Sequence, residues 1–381
     1  MIPTAIAPSK TPPVDQDLAL QARSGHGIPS QDPNPAAQVA LEPRQAEREA
    51  QSALVGGSVV AGVATGATIG VMAAGPVGVV VGAALGAVAG ALGGAAAGVM
   101  TEPDESTRSG TTPGDAVRLH IEDGGGSGRP VVLIHGWPLS AQAWESQASV
   151  LQAAGYRVVA YDRRGFGHSD KPESGYGYDT LADDLQRVLD ECGLQDVTLV
   201  GFSMGGGEVA RYVGRHGESR LHSVVFAAAV TPCLMKSADN PDGPLTAEKA
   251  QLKKSAFERD RSGYFEQFTR DFFSANGTLQ VTESQRGAAI ALCEQAAQHA
   301  ALACMESFAT TDFRKDLEKV MVPTLVIHGE ADAIVPIEGS GARTHRAVSH
   351  SNLLRVNGAP HGLNVSHAHA FNDALLSFLR A

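Results

Sequence analysis

The sequence is poor in cysteine, in aromatic residues and in positive charge. Its four cysteines form no CxxC pair and none lies beside a histidine at metal-ligand spacing, so we expect them to be reduced and buried. A net charge of −11 provides no basic face and argues against a nucleic-acid partner. The sequence also lacks HExxH, P-loop and dinucleotide-binding motifs. It therefore indicates neither a metal nor a cofactor.

The first residues lack a basic stretch followed by an apolar one, so no secretory signal is predicted and the expected compartment is the cytoplasm. Residues 1–49 contain eight prolines and no periodic apolar pattern, which predicts a disordered tail. Residues 102–112 are polar and rich in turn formers, which predicts a linker. Ordinary globular composition then predicts one domain over residues 113–381.

Residues 50–101 contain no charged residue, and glycine recurs at every fourth position in two runs. The runs are Gly62, Gly66 and Gly70, then Gly78, Gly82, Gly86, Gly90, Gly94 and Gly98. This spacing places glycine along one helix face, and Gly75-Pro76 marks a turn between the runs. We predict a helical hairpin with arms at 53–73 and 77–100. Three interpretations are open: a flexible linker, a membrane-associated hairpin, or a glycine zipper that drives self-association.

Within residues 113–381, short apolar runs alternate with longer helical patterns, which predicts βαβ units and a mostly parallel sheet flanked by helices. The predicted strands are 131–134, 157–161, 197–200, 223–229, 324–327 and 353–356, and the predicted helices are 143–154, 181–191, 208–216 and 371–379. No strand fits between about 232 and 319, where aromatic residues recur at helical spacing. This segment is predicted to be a helical lid.

A G-x-S-x-G pentapeptide centres on Ser203, directly after one predicted strand and directly before a predicted helix. This context is typical of the nucleophile elbow, in which a sharp turn exposes the serine hydroxyl. Small neighbours at Gly201 and Gly205 avoid clashes with the flanking strand and helix. The helix N-terminus also favours negative charge beside the serine. Ser203 is therefore the predicted nucleophile.

The elbow and the alternating pattern resemble the α/β-hydrolase fold, in which an acid and then a histidine follow the nucleophile along the chain. Asp332 lies just past the strand 324–327 and is the predicted acid, with Glu330 as the surface alternative. His361 lies between glycines in a loop after the last strand and is the predicted base. His367 and His369 follow in a polar stretch and are expected at the surface.

An earlier strand runs into His135-Gly136-Trp137-Pro138, where this fold supplies one half of its oxyanion hole. Pro138 has no amide proton, so the predicted donors are the backbone N–H groups of Trp137 and Met204. His135 precedes the serine in the chain. It is expected to hold the loop rather than to act as the base.

Several longer segments make the resemblance more specific. They are HGWPLS at 135–140, YDRRGFGHSD at 161–170, GGGEVARY at 205–212, HGEADAIVP at 328–336 and GAPHGL at 358–363. Residues 113–381 thus resemble the cofactor-free haloperoxidases, or perhydrolases, and their esterase relatives. The resemblance implies a triad of Ser203, Asp332 and His361 that acts on a small ester or carboxylic acid, with hydrogen peroxide and halide as further reactants. It implies no heme and no metal.

Two other classes are consistent with parts of the pattern. A different lid would direct the same triad to a carbon–carbon bond or a lactone. The fold could also serve as a non-catalytic ligand receptor, although intact triad residue types argue against this. Epoxide hydrolases and haloalkane dehalogenases share the architecture but use aspartate at the position of Ser203, which argues against both.

Overall fold

The computed structural model describes residues 117–381. The predicted tail, helical hairpin and linker, and the domain boundary at residue 113, lie outside the described residues. Within 117–381, no helix combines the length and the apolar character that crossing a membrane requires.

A central sheet of seven strands organises the described residues. Its strands are β1 (Ile121–Asp123), β2 (Pro130–Ile134), β3 (Arg157–Tyr161), β4 (Val197–Phe202), β5 (Leu221–Ala227), β8 (Thr324–Gly329) and β9 (Asn352–Val356), and a separate two-stranded hairpin holds β6 (Ser274–Ala275) and β7 (Thr278–Leu279). Across the large sheet the strands lie in the order β1-β3-β2-β4-β5-β8-β9. All neighbours in the large sheet pair in parallel except β1, which runs antiparallel to β3. The predicted fold class is therefore confirmed.

Helices connect the strands and cover the sheet. They are α1 (Glu145–Ala153), α2 (Tyr178–Glu191), α3 (Met204–His216), α4 (Ala247–Arg259), α5 (Arg261–Phe273), α6 (Glu283–Glu294), α7 (Gln298–Thr310), α8 (Arg314–Leu317), α9 (Gly341–Ala347), α10 (Leu363–Ser366) and α11 (Ala368–Arg380), with 3-10 turns at Ala141–Trp144 and Ile337–Gly339. The central strand β4 is buried along its whole length, because helices pack on both faces of a parallel sheet.

The predicted strands all occur; β3 has the predicted bounds, and the others have shifted ends. β4 continues two residues beyond the prediction, to Phe202, and so runs directly into Ser203. β5 ends at Ala227 instead of 229, because Ala228 has a φ of 43° and cannot continue the strand. β1 was missed: it has three residues, and its partly exposed side chains show no apolar alternation.

The segment between β5 and β8 is a helical lid, as predicted, and contains α4 to α8. The expectation that it holds no strand was wrong in one place, because β6 and β7 form a short hairpin there. Its turn is Asn276-Gly277, and both residues have positive φ, at 51° and 79°. Asn-Gly is the preferred pair for such a two-residue turn and was the available signal.

Candidate active site

Ser203 lies in a strained turn at the centre of the sheet. It joins β4 to α3 with φ 53° and ψ −115°, a region that residues other than glycine rarely adopt. A Cβ at Gly201 would lie 2.4 Å from the carbonyl oxygen of Gly205, and a Cβ at Gly205 would lie 2.5 Å from that of Ile134. The two glycines are thus required by close backbone contacts, as the sequence indicated.

The structure brings the three predicted side chains into one hydrogen-bonded chain. His361 Nε2 lies 2.9 Å from Ser203 Oγ, and His361 Nδ1 lies 2.6 Å from Asp332 Oδ2. All three residues are buried. The ring centroids of Phe202 and Phe272 lie 5.2 and 5.1 Å from the centroid of the His361 imidazole, so both rings pack against it. The arrangement can move a proton from the serine hydroxyl to the imidazole.

Asp332 is surrounded by donors on both oxygens. Its Oδ1 accepts the backbone N–H groups of Ile334 and Val335 at 2.9 and 2.8 Å, and its Oδ2 faces His361 and also His328, at 3.1 Å. Burial alone raises the pKa of Asp332. The charge of His361 and the hydrogen bonds from both histidines outweigh that effect, so the pKa lies well below its usual range. Asp332 is therefore a carboxylate at neutral pH.

The two predicted oxyanion donors are available. Neither the backbone N–H of Trp137 nor that of Met204 donates a hydrogen bond to any group in residues 117–381. Met204 is the first residue of α3, so its amide has no partner within the helix. Both N–H groups are thus free to bind a developing oxyanion.

A buried ion pair supports the loop that carries Trp137. Arg163 pairs with Glu208 on α3, and both side chains are almost completely buried. The Arg163 backbone N–H donates to His135 Nε2 at 2.9 Å, and its guanidinium donates to the His135 carbonyl at 2.6 Å. Burial and the charge of Arg163 lower the pKa of His135 well below its usual range, so its ring is neutral. His135 thus holds the loop through these hydrogen bonds, and none of its hydrogen bonds within residues 117–381 goes to Ser203.

A cavity of about 510 Å³ opens onto Ser203 and His361. Its size lies within the range of small-molecule sites. Apolar residues from the lid and from loops near the sheet form most of its wall: Trp137, Val230, Leu234, Tyr264, Phe268, Met305, Phe308 and Ile334. The lid helices α4, α5 and α7 therefore determine the shape of the space beside the serine.

Most of the remaining predicted residues lie where expected, with His367 and Cys192 as the exceptions. Glu330 is exposed, and His369 is exposed and pairs with Asp373 at 2.8 Å, whereas His367 is half-buried. The four cysteines are free thiols; three are buried and Cys192 is half-buried, so that one was predicted wrongly.

His328 was not singled out in the sequence. Its position four residues before Asp332, at the end of β8, was the available signal.

In residues 117–381, one cluster has ligand atoms close enough for a metal ion. His120, Asp162 and His168 hold potential ligand atoms within 4.8 Å of one another. Both Asp162 oxygens already accept backbone N–H groups, from Ala141 at 2.8 Å and from His168 at 2.7 Å. The Asp162 carboxylate thus organises the loop after β3.

Comparison with known proteins agrees with this geometry. Residues 129–368 match the family described as alpha/beta hydrolase fold. A non-heme chloroperoxidase of Kitasatospora aureofaciens is 42% identical over 271 residues, which cover 70% of this chain and 98% of that protein. A bifunctional esterase/perhydrolase of Acinetobacter calcoaceticus is 34% identical over 275 residues, covering 71% and 99%.

Among solved structures, a bromoperoxidase from Bacillus anthracis superposes with a TM-score of 0.68 at 50% sequence identity. The match covers 70% of this chain and 96% of that one. The similarity thus spans nearly the full length of these relatives. The chain belongs to the α/β-hydrolase family, as an enzyme whose relatives are non-heme haloperoxidases and esterases.

Proposed function

We propose that the protein is a serine esterase that also forms peracids. The observation that carries this proposal is the hydrogen-bonded chain Ser203–His361–Asp332, which opens onto a cavity through Ser203 and His361, together with the two backbone N–H groups of Trp137 and Met204 that donate no hydrogen bond within residues 117–381. These are the parts that acyl transfer needs: a nucleophile, its base, an orienting acid and an oxyanion hole.

In the first half of the reaction, Ser203 Oγ attacks the carbonyl carbon of an ester while His361 Nε2 accepts the hydroxyl proton. The carbonyl oxygen becomes negative and is bound by the N–H groups of Trp137 and Met204. Asp332 fixes the imidazole with its Nδ1–H toward the carboxylate, so that Nε2 is free to accept. The tetrahedral intermediate collapses, the alcohol leaves with the proton from His361, and an acyl-enzyme remains.

In the second half, the acyl-enzyme is cleaved by water or by hydrogen peroxide. Water gives the carboxylic acid. Hydrogen peroxide loses one proton to His361 and attacks the acyl carbon, which gives a peracid and returns the proton to Ser203. The peracid then oxidises bromide or chloride in solution to the hypohalous acid and is itself reduced to the carboxylic acid. The relative named as an esterase/perhydrolase supports this second outcome.

The test is hydrolysis of p-nitrophenyl acetate by the wild type and by Ser203→Ala, with circular dichroism to show that both are folded. We expect the variant to lose activity by a factor of about 10⁴ or more. Peroxide-dependent bromination in acetate buffer is then measured on the same pair, and it should also need Ser203. Equal rates in the two proteins, or failure of the folded wild type to react with a fluorophosphonate, would refute the serine mechanism.

A further inference from the structure

The cavity beside Ser203 has an uneven distribution of charge. Its charged wall residues, other than the triad, are Lys249, Lys253, Lys254 and Glu306. Lys254 Nζ lies 3.6 Å from a carboxylate oxygen of Glu306, so this pair is close to neutral. Lys249 and Lys253 remain, and within residues 117–381 neither forms an ion pair. The cavity wall thus carries two ammonium groups without an ion-pair partner among the described residues, in a chain of net charge −11.

The position of these two lysines is unfavourable for the helix that carries them. They lie four residues apart on α4, so two like charges occupy one face. Lys249 also lies in the first turn, where the helix dipole favours negative charge and disfavours positive charge. The stability of α4 therefore does not explain why lysine occupies both positions. A negative charge brought by a ligand would relieve both effects.

Lys253 is also within electrostatic reach of the triad. Lys249 and Lys253 are both exposed to solvent. Partial desolvation of Lys253 at the cavity wall lowers its pKa, the carboxylate of Asp271 opposes that effect, the charge of Lys249 lowers the pKa further, and the charge of Asp332 raises it. Asp271 is not close enough to form an ion pair with Lys253. A ligand that reaches from Ser203 to the wall formed by α4 would meet this ammonium group.

We propose that the cavity selects esters whose acyl chain ends in an anionic group such as a carboxylate. The ester carbonyl lies at Ser203, the methylene chain lies along the apolar wall, and Lys249 and Lys253 bind the terminal carboxylate by charge-assisted hydrogen bonds. This inference rests on the proposed function, because it assigns the substrate class of the same serine site.

The test uses three methyl esters with acyl chains of equal carbon number and different terminal charge. They are methyl hexanoate, which is neutral, monomethyl adipate, which is anionic, and the methyl ester of ε-aminocaproic acid, which is cationic. Hydrolysis is followed by pH-stat at low ionic strength in the wild type, K249Q/K253Q and K249E/K253E. Lys315→Gln is the matched control, because Lys315 is an exposed lysine on α8 that does not line the cavity.

We expect the kcat/KM ratio of the adipate ester to the hexanoate ester to fall about tenfold in K249Q/K253Q and to stay unchanged in Lys315→Gln. Within each protein the rate with methyl hexanoate is the reference, so a change that all three esters share, such as an effect of the altered charges on the triad, cancels in the ratio. In K249E/K253E the cationic ester should become better than the anionic one. The wild-type preference should also weaken in added salt, because salt screens exposed charges.

An adipate-to-hexanoate ratio that is the same in the wild type and K249Q/K253Q would overturn the inference, provided that methyl hexanoate is hydrolysed in a Ser203-dependent way. The proposed function would then stand without it. If no ester is hydrolysed and Ser203 cannot be labelled, the proposed function itself fails, and this inference fails with it.

Discussion

His328 Nε2 lies 3.1 Å from Oδ2 of Asp332, the same carboxylate oxygen that faces His361. The same Nε2 lies 2.8 Å from the carbonyl oxygen of Val335. A carbonyl oxygen accepts only, so Nε2 carries the proton and donates to both oxygens. His328 Nδ1 has no partner among the described residues and is packed against Gly341. His328 therefore acts as a donor that fixes the orientation of the acid.

Replacing His328 by leucine should lower kcat by about 10- to 100-fold and leave KM nearly unchanged, because one hydrogen bond to a charged group is worth roughly 1.5–3 kcal/mol. His328→Gln should restore most of the activity, since the glutamine amide can place a donor near the position of Nε2. The measurement is steady-state hydrolysis of p-nitrophenyl acetate by the three proteins. An equal loss of kcat in the leucine and glutamine variants would contradict the role of the Nε2–H donor. It would mean that the imidazole of His328 acts through its packing.

Two helical glycines should respond oppositely to replacement by alanine. Gly205→Ala should abolish activity and lower the free energy of unfolding, because the new Cβ would lie 2.5 Å from the Ile134 carbonyl oxygen and the backbone cannot move away. Gly287 lies on α6 with no atom within 4 Å of such a Cβ. Gly287→Ala should therefore keep full activity and raise stability by about 0.5–1 kcal/mol. Urea denaturation and ester hydrolysis measure both effects, and a fully active Gly205→Ala would contradict the close packing of the elbow.

The sequence predicted the elbow and its partners because each lies in a segment with strong local constraints. Ser203, Asp332 and His361 all follow predicted strands, and the carboxyl ends of parallel strands meet at one edge of the sheet. Pairing of β4, β5, β8 and β9 thus brings together residues that are up to 158 positions apart in the chain.

Contacts that arise only from packing were not predictable in the same way. The sequence around Arg163 indicates only a loop rich in turn formers. The burial of Arg163 against Glu208 depends on how α3 packs on the sheet. The same is true of Lys249 and Lys253, whose position at the cavity follows from the path of the lid. The lid helices are not positioned by backbone pairing with a neighbouring strand. The sequence pattern therefore does not determine where they pack.

Removal of the charge of Glu208 should destabilise the protein strongly. Glu208→Gln leaves the buried guanidinium of Arg163 without an anionic partner, and loss of one member of a buried ion pair costs about 3–5 kcal/mol. Asp179→Asn is the matched control, because Asp179 pairs with Arg211 but is 60% exposed. That change should cost less than about 1 kcal/mol. Chemical denaturation compares the two variants, and equal losses would mean that Glu208 is not an anion in the fold.

The stability of the protein in acid should depend on Asp332. The pKa of its carboxyl is lower in the folded chain than the value of about 3.9 in an unfolded chain, so the folded protein binds its proton less readily. Ionisation of Asp332 therefore stabilises the fold above about pH 4, and this contribution is lost as the pH falls through the lower folded-state pKa.

Asp332→Asn lacks this ionisation, so the difference in free energy of unfolding between the wild type and the variant should shrink as the pH falls below about 4. Urea denaturation at a series of pH values, from pH 5 downward as far as both proteins remain folded, measures this difference. A difference that grows on acidification would mean that the carboxyl has a raised pKa. The acid would then be neutral in the fold, and it could not stabilise the imidazolium that forms when His361 accepts the proton of Ser203.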